Sequence, residues 1–292
     1  MPVPILGIPF DANSSYLRGA AQAPPQIREA LFSQSSNLYS EMGIDLGASE
    51  NLFDAGDLQL GRTPSEDFAA IESGADELLQ RDTPVIFLGG DHSITFPLVK
   101  ACHRNFPELS IVHFDAHPDL YPEFEGNRYS HACPFARIME DRLAKALVQV
   151  GIRCMNSVQL EQVERYGVKL HAIKDGIPGV AGKPVLRLNG PVYLSFDIDV
   201  LDPAFVPGIS HWEPGGMSVR DAISCLHSLE ARIVAADIVE FNPVRDSSGR
   251  TAMVCAKLLK EIAAKMLRAS LGHSANSAEA QAKTHAPQQL PP

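Results

Sequence analysis

Residues 109–119 read Leu-Ser-Ile-Val-His-Phe-Asp-Ala-His-Pro-Asp. The first six are mostly apolar with little alternation, as expected of a strand buried on both faces of a parallel sheet. The run then ends in three ionisable residues: Asp115, His117 and Asp119. Similar runs occur at Pro84–Leu88, Pro191–Phe196 and Arg232–Val239, with further candidates at Val3–Ile8 and Leu147–Ile152. Helical patterns lie between them. Ser65–Arg81 opens with Ser65 as a candidate N-cap and Glu66 and Asp67 in the first turn, and it carries Phe68, Ile71, Ala75, Leu78 and Leu79 at helical spacing. Pro134–Val148, Ser157–Tyr166 and Ser218–Leu229 read the same way. This alternation predicts an α/β chain built on a doubly wound sheet, with a ligand beyond the carboxyl ends of the strands.

Composition narrows the function. The chain has 292 residues, 45% hydrophobic and 21% charged, with a formal net charge of −10. A nucleic-acid binder normally shows a basic excess, so none is expected as a partner. No apolar run approaches the roughly 18 residues of a membrane span. The apolar start, Met1–Phe10, has no basic residue before Arg18, unlike a secretory signal. Five scattered cysteines without a C-x-x-C pair read as reduced, which points to the cytoplasm. One domain is expected over 1–269, with a disordered Ala/Ser/Gln/Pro-rich tail over 270–292.

The unusual residues fall at strand ends. The strand at 84–88 runs into Gly89-Gly-Asp-His-Ser93, and the strand at 191–196 into Asp197-Ile-Asp199. If the chain stays extended, Asp115, His117 and Asp119 share one side, as do Asp197 and Asp199. Any one such Asp is usually a turn former or helix cap, and His113 alone reads as a hydrogen-bonded core residue. Together, three strands deliver two histidines and four carboxylates to one sheet edge. Carboxylates packed side by side repel and raise one another's pKa, and two divalent cations remove that cost. Thiolates are absent from the motifs, which disfavours structural zinc. Carboxylates with one imidazole per metal suit Mn²⁺, with Ni²⁺, Co²⁺, Fe²⁺ and Zn²⁺ also open. A pair about 3.5 Å apart would activate a shared water for hydrolysis.

These motifs, in this order, resemble those of the ureohydrolase family of arginases, agmatinases, guanidinobutyrases and formimidoylglutamases. The resemblance runs from Gly7-Ile-Pro-Phe-Asp11 and Arg18-Gly-Ala20 to Lys265. It implies a three-layer α/β/α fold with about eight mostly parallel strands, and assembly as a homo-trimer or homo-hexamer. It implies one metal on His92, Asp115, Asp119 and Asp197, and a second on Asp115, His117, Asp197 and Asp199. Glu240, in Asp237-Ile-Val-Glu-Phe-Asn-Pro243, looks like the guanidinium-binding glutamate; a guanidinium stays charged, so a carboxylate is its natural partner. His131 looks like the proton-shuttling histidine that serves the leaving amine. Asp199, with the metals, would stabilise the tetrahedral intermediate. Without the resemblance, Glu240 would read as a capping carboxylate and His131 as an ordinary loop residue.

The substrate is less directly written. The stretch Leu120-Tyr-Pro-Glu-Phe-Glu-Gly-Asn-Arg-Tyr-Ser130 is similar to that of agmatinases, and Glu123 and Glu125 would favour a cationic tail. Arg128 pulls the other way. Pro207-Gly-Ile-Ser-His-Trp-Glu-Pro-Gly-Gly216 departs from the family's Gly-Thr-Gly-Thr-Pro-like turn, placing His211 and Trp212 where a pocket rim, or a subunit contact, is expected. Asn127, Ser210, His211, His131 and Glu240 are the candidate substrate contacts. The expectation is hydrolysis of agmatine to putrescine and urea, with arginine or a guanidino acid as the alternative substrate. A catalytically silent regulator is more remote, because it has no reason to keep a costly carboxylate cluster.

Overall fold

The computed structural model describes residues 2–79 and 83–284, the side chains from 270 onward excepted. Eight strands form one sheet: β1 (Val3–Gly7), β2 (Leu52–Asp57), β3 (Val85–Leu88), β4 (Ser110–Phe114), β5 (Ala146–Ile152), β6 (Lys169–Ala172), β7 (Arg187–Asp197) and β8 (Glu230–Val239). Their order is β2-β1-β3-β8-β7-β4-β5-β6, and every neighbouring pair is parallel.

Helices cover both faces. On one side lie α1 (Ala23–Leu31), α6 (Val219–Ser228) and α7 (Arg250–Thr284); on the other lie α2 (Pro64–Leu79), α3 (Thr95–Asn105), α4 (Pro134–Glu140) and α5 (Ser157–Tyr166). Alternate strand residues feed the two layers. Val112, Phe114, Leu194 and Phe196 pack towards α1, α6 and α7, whereas Ile111 and Tyr193 pack towards α2–α5. Burial on both faces explains why these strands read as continuous apolar runs. This is the expected three-layer α/β/α architecture.

Local readings need three corrections. The edge strands β2 and β6 carry no apolar run, since β2 (Leu-Phe-Asp-Ala-Gly-Asp) is half-buried at best. The helix expected over 134–148 stops at Glu140; Arg142 then adopts φ +56°, and the chain turns into β5. The cap of α2 is Thr63, not Ser65. Thr63 accepts from the Glu66 amide while the Glu66 carboxylate accepts from the Thr63 amide, a reciprocal capping box. The tail expected over 270–292 lies outside the described side chains, and residues 285–292 lie outside the described residues altogether.

The topology positions the site. Strands β3, β8, β7 and β4 are consecutive across the middle of the sheet, so the residues after their carboxyl ends meet over its centre. Gly90 makes this crossing possible: a Cβ there would lie 1.7 Å from the Phe10 carbonyl oxygen, which accepts from the Asp91 amide at 2.8 Å.

Candidate active site

All six expected metal ligands converge. His92 opens a short helical turn after β3, with its Nδ1 3.2 Å from Asp115 Oδ2, 3.0 Å from Asp119 Oδ2 and 3.2 Å from Asp197 Oδ2. His117 Nδ1 lies 3.3 Å from Asp115 Oδ1 and 3.0 Å from Asp199 Oδ2. The two oxygens of Asp115 therefore face different histidines, as a bridging carboxylate would. The convergence is not that of an extended strand. Asp119 has φ +49°, and the segment after Asp197 is a tight helical turn in which the Asp199 amide donates to Asp197 Oδ1. The His117 amide donates likewise to Asp115 Oδ1. Short Asp-capped turns, rather than strand alternation, aim these side chains.

The donors fit divalent metal on independent grounds. Ser195 Oγ gives its proton to Asp237 Oδ1 at 2.7 Å, so its contact with His92 Nε2 at 2.9 Å is one it accepts. His92 is thereby held as the Nε2–H tautomer, and its Nδ1 lone pair points at three carboxylates with no hydrogen-bond partner. Among the described residues, no lysine or arginine side chain pairs with the four carboxylates. Burial, then the neighbouring charges of Asp199 and Asp115, push Asp197 well above the usual carboxylate range; burial and Asp115 raise Asp199. Burial opposes charge on His92 and His117, yet the surrounding carboxylates raise both well above an ordinary imidazole. A dry cluster of four carboxylates is tolerable only with protons or cations in it. His113 is the core residue expected: buried, with Nε2 2.8 Å from Asp115 Oδ2 and Nδ1 2.9 Å from the Gln149 amide nitrogen.

Beside this cluster is a pocket of roughly 230 Å³. Glu240 reaches it from the end of β8, with φ +63° and Oε1 accepting from the His92 amide at 2.8 Å. The same oxygen lies 2.8 Å from His131 Nδ1, and His131 Nε2 lies 2.8 Å from Ser15 Oγ. Burial disfavours the charged imidazole, but the Glu240 carboxylate outweighs it and lifts His131 to about 9. Burial raises Glu240, and His131 brings it below the usual value. Asp91 is no ligand in this arrangement. It accepts from the amides of Ser93 and Asn13, tying residues 13–15 beside His131, and burial with the nearby Glu240 charge raises it to about 6.

The substrate candidates divide. His211 lines the pocket, its ring centroid 5.2 Å from that of His131 and 6.2 Å from that of His117. Ser210 does not: its hydroxyl donates to the Leu17 carbonyl and accepts from Asn242. Asn127 bonds Asn13 and the Tyr129 amide and lines a separate cavity. Trp212 is exposed, donating to the Pro207 carbonyl beneath the Arg245 guanidinium. Glu123 and Glu125 are exposed and absent from the pocket wall, and Arg128 pairs with Glu140. Conversely, Ser15, Tyr121, Cys154, Gln159 and Glu213 line the pocket unannounced. Glu213, inside the unusual 207–216 loop, and Tyr121, inside the 120–130 stretch, carried a hint of this.

The family model described as "Arginase family" matches residues 1–264. The chain belongs to the arginase family. Among its relatives, the mitochondrial arginase 1 of Arabidopsis thaliana is 44% identical over 274 residues, covering 90% of this chain and 80% of that one. The agmatinase of Bacillus subtilis is 33% identical over 269 residues, covering 88% and 89%. The solved arginase of Medicago truncatula superposes with a TM-score of 0.83 at 41% identity, over 91% of this chain and 87% of that one. As a family member, the protein is a hydrolase of amidino C–N bonds. The family is binuclear metal-dependent, and the histidine and aspartate clusters around His92 and His117 could hold metal.

Proposed function

We propose that the protein hydrolyses arginine to ornithine and urea, with two Mn²⁺ per subunit and as a homo-trimer or homo-hexamer. The observation that carries the guanidino reading is the buried Glu240 carboxylate, aimed into the pocket beside the metal cluster. The choice of arginine over agmatine is supported by the higher identity to plant arginases than to the agmatinase. One ground for expecting agmatine is also removed, since Glu123 and Glu125 lie away from the pocket wall.

His92, Asp115, Asp119 and Asp197 would hold one metal, and Asp115, His117, Asp197 and Asp199 the other. Bound there, the pair supplies Lewis-acid activation of water and neutralises the carboxylates. The remaining work belongs to the pocket. Glu240 pairs with the guanidinium and fixes its carbon over the cluster. In doing so its charge is shared, and His131 loses part of the interaction that retained its proton. His131, braced by Ser15, then gives that proton to the departing amine nitrogen as the C–N bond breaks. The hydroxyl of Tyr121 accepts from Asn156 and keeps its own proton for the substrate's α-carboxylate.

Agmatine is the second reading, favoured by one observation: among the described residues, no lysine or arginine lines the pocket to receive a carboxylate. Urea release from arginine, agmatine and 4-guanidinobutyrate, measured with Mn²⁺ and then Ni²⁺, decides. The expected order is arginine well above agmatine, with 4-guanidinobutyrate last. Agmatine above arginine would overturn the substrate choice, and no urea from any of them under either metal would overturn the guanidino reading.

A further inference from the structure

We propose that Glu213 and Gln159 form the subsite for the ammonium group at the far end of the substrate; this rests on the guanidino reading above. Among the described residues, five carboxylates line the pocket: Asp119, Asp197, Asp199, Glu213 and Glu240. The first three belong to the metal cluster, and Glu240 faces His131. Glu213 has no such claim on it. Its nearest ionic neighbour is His117 Nε2 at 3.8 Å, beyond hydrogen-bond length.

The position of Glu213 is nonetheless built. Its backbone carbonyl accepts from Arg153 Nε at 2.9 Å and Nη2 at 2.6 Å. The same guanidinium holds the carbonyls of Asp199, Val200 and Leu201, which locks the 207–216 loop against the metal-binding turn. Arg153 is thus engaged with backbone oxygens, and the Glu213 carboxylate is left to the pocket.

Gln159 supplies the second observation. It lines the same pocket, only 4% of its surface is exposed, and its Oε1 is buried with no hydrogen-bond partner. Its amide nitrogen in the main chain is held by the Asn156 cap of α5, so the residue is not free to retreat. A buried acceptor without a donor is costly, and an ammonium group brings three donors and no acceptor. A carboxylate and an unpaired amide oxygen on residues lining one pocket, with no lysine or arginine among the described lining residues, match an alkylammonium. Arginine and agmatine both carry one at the end opposite the guanidinium.

A purely structural role for Glu213 makes a different prediction. Carboxylates behind metal-binding histidines commonly orient the ring, and loss of that role would weaken metal binding and depress every substrate alike. Glu213→Gln is therefore assayed on arginine and agmatine, with competitive inhibition by butylguanidine, which lacks the ammonium, and with bound Mn²⁺ counted per subunit. The expected result is a loss of about 10- to 100-fold in kcat/KM for arginine and agmatine, mostly through KM. The butylguanidine inhibition constant and the Mn²⁺ content should stay put. Gln159→Leu should move the same way by a smaller factor. Equal weakening of butylguanidine, loss of metal, or unchanged KM in Glu213→Gln would overturn the proposal. A wild-type enzyme that prefers agmatine would refute the arginine reading yet leave this test intact, and one inert on both would refute the guanidino reading itself.

Discussion

His131 Nδ1 lies 2.8 Å from Glu240 Oε1, inside the pocket and away from bulk water. On the proposed mechanism the pair couples recognition to proton supply, because whatever draws on the Glu240 charge alters the hold on the His131 proton. Burial works against the imidazolium, but Glu240 raises it from 6.5 to about 9. The sign follows: this contribution to stability is complete below the unfolded value near 6.5 and is lost as pH rises through about 9. Glu240 is lowered, so its contribution holds above its unfolded value of 4.5 and disappears as pH falls through the depressed one. As the proposed proton donor, His131 should make kcat/KM fall about tenfold per pH unit above roughly 9. His131→Asn should lose most activity together with that alkaline limb. A limb that persists unchanged in the variant would assign it to another group.

Ser195 should act on metal affinity without touching the metal. It fixes the His92 tautomer, and Asp237 fixes Ser195 while also accepting from Thr95, Tyr193 and the Phe196 amide. Ser195→Ala leaves the Nε2–H of a fully buried imidazole without an acceptor. The expected cost is about 10- to 100-fold in metal affinity, read from Mn²⁺ titration of the apoprotein. Asp237→Asn should act in the same direction and also lower the melting temperature, since four donors lose a carboxylate. An unchanged Mn²⁺ affinity in Ser195→Ala would mean that another contact holds the ring.

What the amino-acid sequence made legible follows from what is chemically rare. Asp115, His117 and Asp119 stand out because charged residues at the end of a buried strand need a reason. The strands β3, β4, β7 and β8 stand out because both of their faces are covered. β2 was not legible, since an edge strand of Leu-Phe-Asp-Ala-Gly-Asp lacks that demand for apolar residues. Ser195, Gln159 and Ser15 are common residue types whose roles arise only from what packs beside them. Ser195 even lay within a strand already singled out. Ser210 and Asn127 fail for the converse reason: nearness in sequence to a site residue says little about direction, and both turn to structural partners. Asp199 does lie beside His117, although by a tight turn and not by the extended geometry expected.

Gly90 should tolerate no side chain. A Cβ there would sit 1.7 Å from the Phe10 carbonyl oxygen and 2.6 Å from its carbon, both backbone atoms that cannot swing aside. Phe10 is itself held by its carbonyl's bond from the Asp91 amide, and Glu240 donates its amide to the Gly90 carbonyl at 2.9 Å. Gly90→Ala must therefore separate the β1 and β3 ends or displace Glu240. We expect a destabilisation of at least about 3 kcal/mol by overpacking, read as a fall in the denaturant midpoint, with activity lost in the fraction that folds. Gly126→Ala is the contrast: it has φ +78° but open space around its Cβ, so only conformational strain of about 1 kcal/mol is expected.

The two halves of the metal cluster should be separable by substitution. Asp119 faces His92 alone, whereas Asp115 presents Oδ2 to His92 and Oδ1 to His117. Asp119→Asn removes one charged donor from one position and leaves the pair around His117 complete. The expected metal content is about one Mn²⁺ per subunit at concentrations that saturate the wild type. Asp115→Asn weakens both positions at once and should bring the content towards zero. Metal removal from the wild type by a chelator should lower the melting temperature, because bound metal stabilises by about 2.7 kcal/mol at 100 times its dissociation constant. Asp115→Asn should already sit near that apo value and respond little to the chelator, while Asp119→Asn should fall between the two. Equal metal loss in both variants would show that the positions fill cooperatively, and the assignment of Asp119 to a single metal would then fail.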